Sequence, residues 1–370
     1  VIGMRNLSKQ TGSVIIIVLW TAVLLTVLVT AMAGKVRLSA QTAAHNRDAS
    51  QDWAQLMASV NFAEMELMLE RMPAPIDQQL EESEEGEILN PLHRYDGEAL
   101  ELNYGLPENM VVRIYDHAGK INLNRIPRRN MQLLIEKLLG GDAAEPEEVQ
   151  DLLAAWTDWT DLNDLEGLNG AEKDYYLELD QAYVPRNNPE LDTVEEILHV
   201  RGFAQLLEGI NLDAAFTIYG NTRTVNLNVA TREAMRLLPG LDDELIETII
   251  AFRELEDISN RAEIAEIVPF ENLQELTQWV GTNTSNIYSI FVYPKAAFSG
   301  TVLTSQPSDS LELDGDEVEP QDSVRQAYME IVEVSSGNAL PRIYKVDPYG
   351  MLPDTAKARI EEYGIELKSL

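Results

Sequence analysis

The residues best placed to do chemistry lie in one stretch, Asp158-Trp159-Thr160-Asp161-Leu162-Asn163-Asp164-Leu165-Glu166-Gly167-Leu168-Asn169-Gly170-Ala171-Glu172-Lys173-Asp174-Tyr175-Tyr176. Asp and Asn oxygens alternate there with glycine turns, which suits Ca²⁺, a hard cation that takes about six to eight oxygen ligands in flexible loops. The spacing is not that of an EF-hand, since the glycine and closing glutamate are missing from the required positions. The same stretch also reads as a solvated acidic loop with Trp156, Trp159 and Tyr175 in the core. Taken alone, it does not separate the two readings. Other chemistries find less material. Zero cysteines remove disulfides, thiolate metal sites and cysteine nucleophiles. Histidines at 45, 93, 117 and 199 are too scattered to suggest a zinc site or a histidine-based triad. There is no Gly-rich phosphate loop, nucleophile elbow or metal-binding His pair. Paired carboxylates carry no signal in a chain this acidic.

A second candidate is Leu238-Pro239-Gly240-Leu241-Asp242, preceded by 225–231 and followed by Ile249-Ile250-Ala251-Phe252-Arg253, which looks like a helix-hairpin-helix unit. In DNA-binding hairpins, backbone N–H groups meet a phosphate, with a second glycine and lysines nearby. Here the second glycine position is Asp242, and Asp243, Glu244 and Glu247 follow. The whole chain carries a net charge of −34 with a pI near 4.3. Carboxylates repel phosphate, so the unit reads as structural packing and nucleic acid is not an expected partner.

These motifs need elements to position them. At 370 residues the chain holds two or three domains. Residues 14–34 contain no charged residue, enough for a membrane-spanning helix, and Arg5 and Lys9 mark the preceding side as cytoplasmic. This segment reads as a signal anchor, as a cleaved signal with Ala31-Met32-Ala33 at its end, or as a prepilin leader cut at Gly12-Ser13 ahead of the apolar run. The helical pattern continues without Pro or Gly over 35–72, where Trp53, Leu56, Met57, Val60, Ala63, Leu67 and Met68 form one apolar face. Pro73 and Pro75 stop it, giving one rod of roughly 58 residues and about 87 Å. The alternative is two helices with a loop near His45-Asn46-Arg47-Asp48. Residues 76–96 read as an acidic loop and 110–116 as a strand. Helices follow at 131–139, 146–159, 193–200, 203–208, 231–238, 243–254 and 262–267, then strands at 286–293, 326–334 and 342–346. A helical domain thus interrupts a small antiparallel sheet. Within it, Ile121-Asn122-Leu123-Asn124 precedes Met131 and Leu133-Leu134 at the same offsets by which Val225-Asn226-Leu227-Asn228 precedes Met235 and Leu237-Leu238, a duplicated unit. Its Asn residues read as turn and N-cap residues.

In order along the chain, these features resemble the K-type minor pseudopilins of the type II secretion system (general secretion pathway protein K). The resemblance rests on the Gly12-Ser13 junction, Val112 to Asp116, Gly119 to Asn124, Asp158 to Asn163, Gly170-Ala171-Glu172, Tyr175-Tyr176, Glu195-Glu196-Ile197, Val225 to Ala230 and the strand at 285–292. It implies an α+β, type IV pilin-like fold: a long N-terminal helix on an antiparallel sheet, with a large inserted all-α domain of duplicated helix-hairpin-helix (SAM-like) units. The implied divisions are a leader (1–12), the transmembrane half (13–34) and soluble half (35–72) of the helix, and a loop with the first sheet strand (73–119). The inserted α-domain (120–276), the remaining sheet (277–350) with an acidic loop at 299–323, and a tail (351–370) complete them. The resemblance also implies leader removal by the prepilin peptidase, methylation, and a non-enzymatic role in protein secretion as a pseudopilus tip subunit that helps initiate assembly. Implied partners are the I- and J-type minor pseudopilins, the major pseudopilin and the inner-membrane assembly platform, with the head in the periplasm of a Gram-negative bacterium. It implies structural calcium held by Asp158, Asp161, Asn163, Glu172 and Asp174, with Asn163 in place of a usual aspartate. The fifth position after the cut is Ile17 rather than the usual pilin glutamate, as is characteristic of the K type. The competing functional reading is a membrane-anchored helix-hairpin-helix nucleic-acid protein of the competence type, which lacks support from any basic face. Carboxylate-based enzymatic catalysis is a third.

Overall fold

The computed structural model describes residues 11–72, 94–101, 105–179, 183–295, 326–335 and 339–354. Leader residues 1–10, the Pro73 and Pro75 stop, most of the acidic loop at 76–96, all of 299–323 and the tail beyond 354 lie outside these. The chain divides into two units, Val1–Met57 and Ala58–Leu370.

The described part of the first unit belongs to helix α1 (Thr11–Glu70), which has no loop at 45–48. Its side chains from Ile15 to Leu38 are exposed, and the helix is long and apolar enough to cross a membrane. Its hydroxyls are satisfied within the helix: Thr26 and Thr30 each donate to the carbonyl four residues back at 2.8 Å.

In the second unit, β1 (Asp96–Ala99), β2 (Met110–Asp116), β7 (Ile287–Pro294), β8 (Gln326–Glu333) and β9 (Arg342–Met351) form an antiparallel sheet in the order β1-β2-β7-β8-β9. Between β2 and β7 the chain builds β3 (Ile121–Asn122), α2 (Arg128–Leu138), α3 (Pro146–Thr160), α4 (Lys173–Glu178), α5 (Phe203–Leu206), α6 (Leu212–Ala215) and β4 (Phe216–Thr217). It continues with β5 (Val225–Asn226), α7 (Arg232–Leu237), α8 (Asp243–Leu255), α9 (Arg261–Ile267), α10 (Phe270–Leu276) and β6 (Val280–Gly281). This is the α+β, pilin-like arrangement expected from the sequence. Two strands, not one, precede the helical region. β1 escapes sequence reading because Asp96-Gly97-Glu98 has no strand propensity and is held by pairing to β2.

Strand β7 is buried on both faces over Ile287 to Tyr293. Period-two alternation turns Tyr288, Ile290 and Val292 to one face and Ser289, Phe291 and Tyr293 to the other. On the first face, Arg71, just beyond α1, donates to the Tyr288 hydroxyl at 2.6 Å and to the Ser285 carbonyl. Residues Ser59, Val60, Ala63 and Leu67 make the buried stripe of α1, whereas Trp53, placed on that face by the sequence pattern, is exposed. On the second face, Ser289 Oγ lies 2.7 Å from His117 Nε2 and accepts from Lys120 Nζ at 3.0 Å.

The duplication is visible in hydrogen bonds. β3 pairs in parallel with β4, and β5 with β6. The Asn122 side chain accepts from Asn124 N, and Asn226 from Asn228 N, both at 3.1 Å. Asn124 then clamps Leu191, accepting its N–H at 2.7 Å and donating to its carbonyl at 3.2 Å, and Asn228 clamps Ile258 at 2.9 and 3.0 Å. The turn role holds, but the N-cap role does not: α2 and α7 begin after Pro127 and Thr231, and the Asn amides are already committed to distant backbone.

The second hairpin is consumed internally. Lys137 Nζ donates to the carbonyls of Leu238 and Leu241 at 2.5 and 2.6 Å, and Asn272 donates to Gly240 O at 2.8 Å. Gly240 has φ +75°, and a Cβ there would sit 2.6 Å from Asn272 O.

Glu64 of α1 faces Glu330 of β8, whose carboxylate also accepts from Tyr328 at 3.2 Å. Burial, then the charge and hydrogen bond of Glu330, push the Glu64 carboxyl up to about 7. Because the folded-state value is raised, this group favours folding fully below about 4.5 and loses that contribution as pH rises through about 7. Glu64→Gln is expected to flatten the pH dependence of thermal melting across that window and to stabilise the detergent-solubilised chain at pH 8 by about 2 kcal/mol. Melting curves with the same pH slope in parent and variant would refute this.

Candidate metal centre

Helix α3 starts on Pro146 with Glu147 and Glu148 in its first turn, favourable placements for a helix N-terminus. Its last turn delivers Asp158 and Trp159 inward. Trp159 packs edge-on against Tyr176 of α4 at 5.0 Å, and its indole N–H donates to Glu196 at 3.2 Å. The aromatic core thus fixes the end of α3 against the start of α4, and the acidic loop must bridge them.

Asp158, Asp161 and Glu172 each bring a carboxylate oxygen within 4.8 Å of the others. Asp158 is buried and accepts from Gly167 N at 3.1 Å and Ala171 N at 2.9 Å. Glu172 is buried, caps α4, and accepts weakly from Lys173 N at 3.3 Å. Its Oε1 is buried and has no hydrogen-bond partner among the described residues. Burial pushes the Glu172 carboxyl up, and the charges of Asp158, Asp161 and Asp164 push it further. Among the described residues, no lysine or arginine makes an ion pair with Asp158, Asp161 or Glu172. A buried, unpaired carboxylate oxygen beside two like charges is costly unless a proton or a cation joins it.

The other two residues of the expected donor set sit differently. Asn163 is exposed: its backbone and side-chain N–H groups donate to Asp161 at 3.0 and 2.7 Å, and its oxygen accepts from Leu165 N at 2.9 Å. Asp174 is exposed in the first turn of α4, outside the converging trio. Gly12 and Ser13 lie in the first turns of α1.

Several residues that hold the site gave no sequence signal as site residues. Gly170 approaches Asp158 so closely that a Cβ would fall 1.8 Å from Asp158 Oδ2. Arg201 grips the far side of the loop, donating to the carbonyls of Gly170 at 2.8 Å, Asp151 at 3.2 Å and Asn169. Gly170 was visible inside the acidic stretch, but Arg201 is 31 residues away and only folding shows its role. The donor chemistry fits a hard divalent cation: all oxygens, an unpartnered buried one among them, and a backbone cradle with no room for a side chain.

Residues 119–208 match the family model of the type II secretion system (T2SS), protein K. Among solved structures, a chain in the crystal structure of the GspK-GspI-GspJ complex from the enterotoxigenic Escherichia coli Type 2 Secretion System is similar, with 11% identity, 82% of this chain and 98% of that chain covered, and a TM-score of 0.47. No curated protein matches by sequence. The matched segment holds α2 to α5 and the whole acidic loop. The three carboxylates therefore sit in the segment that matches the protein K model.

Proposed function

We propose that this chain is a minor pseudopilin of the type II secretion system, seated at the pseudopilus tip with the I- and J-type minor pseudopilins and helping to initiate assembly. The observation that carries the reading is the protein K match over the segment that contains the converging carboxylates. On this reading α1 is a single-pass inner-membrane anchor, the sheet and helical region face the periplasm, and the role is structural, not enzymatic. The prepilin peptidase cuts between Gly12 and Ser13, the new N-terminus is methylated, and the assembly platform and major pseudopilin are further partners. Against a nucleic-acid role stand the net charge of −34 and the carboxylates of Asp242, Asp243, Glu244 and Glu247 at the hairpin. Leader processing is tested by Gly12→Val in a Gram-negative host that carries the peptidase: intact-mass measurement is expected to find the leader retained in the variant and removed from the parent. Normal maturation of the variant would sink the prepilin assignment.

We further propose that Asp158, Asp161 and Glu172 hold a structural Ca²⁺, with Asn163 and Asp174 as outer donors. When bound, the ion supplies the positive charge that ties the end of α3 to the start of α4. The chain's own residues do the rest: Asp158 orders the loop through Gly167 and Ala171, and Arg201 holds its outer edge. With calcium at roughly a hundred to a thousand times its dissociation constant, the expected stabilisation is about 3–4 kcal/mol. EDTA should lower the melting temperature of the full chain accordingly, and Asp158→Asn should melt at one temperature with or without chelator. Chelator-independent melting of the parent would count against the site.

A further inference from the structure

The acidic loop carries a second feature that the cation reading does not use. Leu162, Leu165 and Leu168 are 71, 79 and 91% exposed, and Leu168 is the most exposed large apolar side chain among the described residues. They recur every third residue in a segment whose backbone is tied by hydrogen bonds. Asn163 N bonds to Asp161, Leu165 N to Asn163, Gly167 N to Asp158 and Gly170 N to Gly167 O. Asn187 holds Asp164 at 3.0 Å, Asn169 donates to Asp151 at 2.8 Å, and Arg201 fixes the carbonyls of Asn169 and Gly170. The leucines are thus presented by a tied backbone, which lowers the ordering cost of binding.

The clamping Asn and its partner are 67 positions apart in the first copy and 30 in the second, yet both clamps close with the same hydrogen bonds. The loop lies in the extra length of the first copy. Its leucines cover no part of the core.

We propose that loop 161–169 is a docking tip whose leucines enter an apolar pocket rimmed by lysine and arginine on a partner protein. Charge chooses the occupant. Asp164 and Glu166 alternate with the leucines in a chain of net charge −34, so an anionic lipid surface or a second copy of this chain is repelled, whereas a basic-rimmed pocket is attracted.

The test is site-specific photo-crosslinking in the membranes of intact host cells, with benzoylphenylalanine replacing Leu165 in the full chain. The control places the same probe at Leu255, which is 69% exposed on the second copy. The expected result is a protein adduct roughly fivefold above the Leu255 yield, its linked peptide apolar and flanked by Lys or Arg, and lost in L162S/L168S chains that keep the parental melting curve. Adducts to lipid, to another copy of this chain or to an acidic peptide would overturn the proposal. So would yields equal to those at Leu255, or an adduct undiminished in the folded double variant. None of these outcomes depends on leader cleavage, so the docking tip and the pilin assignment fail separately.

Discussion

Burial of β7 on both faces is the constraint from which the rest of the second unit follows. A central strand with α1 residues on one side and helical packing on the other has no water to satisfy its polar side chains. Each one it carries must be answered by protein. Ser289 is answered by His117 and Lys120, and His117 is held on its other nitrogen by Thr217 Oγ1 at 2.7 Å. Asp116 accepts from Ala118 N at 2.7 Å and from the Ser285 hydroxyl at 2.5 Å, so the strand before the helical region and the segment after it share one carboxylate. Burial, reinforced by the Lys120 charge, holds His117 well below the usual histidine range, and burial pushes Lys120 down to about 8. The helical region is consequently bonded into the sheet and not merely tethered by its two ends.

From that junction the duplicated unit is built twice by the same device. A short parallel strand pair, an Asn that turns the backbone and a second Asn that grips a distant peptide recur in both copies. Because one amide both accepts and donates to the same residue, register and direction of the returning chain are fixed together. What lies between the clamp and its target is then free to vary. The second copy leaves it short, and the first fills it with the acidic loop.

β1, α4, α6 and α10 were not read from the sequence, and the helix expected at 193–200 forms as a 3-10 turn over Val194–His199. The apolar run of α1, strands β2, β7, β8 and β9 and helices α2, α3, α5, α7, α8 and α9 were legible because hydrophobic period and breakers are local. So was the repeat, through Asn122 and Asn226. The acidic loop showed its donors but not which would converge: Asp158, Asp161 and Glu172 meet, while Asn163 and Asp174, adjacent in sequence to those residues or nearly so, turn to solvent. The difference lies in the end of α3 and the cap of α4, geometry that depends on Trp159 meeting Tyr176. Arg201, the Asn clamps and the Glu64–Glu330 contact join residues far apart in sequence, and no local pattern announces them. Trp53 misled for the opposite reason: its spacing fits the buried stripe of α1, but that stripe begins later along the helix.

A chain with 62 acidic and 28 basic residues would be expected to use its cations on carboxylates. In several buried places it uses them on backbone carbonyls instead. Lys137 serves Leu238 and Leu241, Arg253 serves Leu227 and Ala230, Arg201 serves Gly170 and Asp151, and Lys120 serves Asp213. Each staples a turn that a helix or strand leaves without a backbone partner, which stabilises the turn and leaves acidic groups elsewhere uncompensated. At the surface, water and mobile ions screen that excess. At Asp158 and Glu172, beside half-buried Asp161, burial denies the screening, and the arginine gripping the loop is already bonded to carbonyls. The Trp159–Tyr176 contact that joins the end of α3 to the start of α4 therefore also brings three carboxylates together, and a proton or a cation from outside the chain relieves their repulsion.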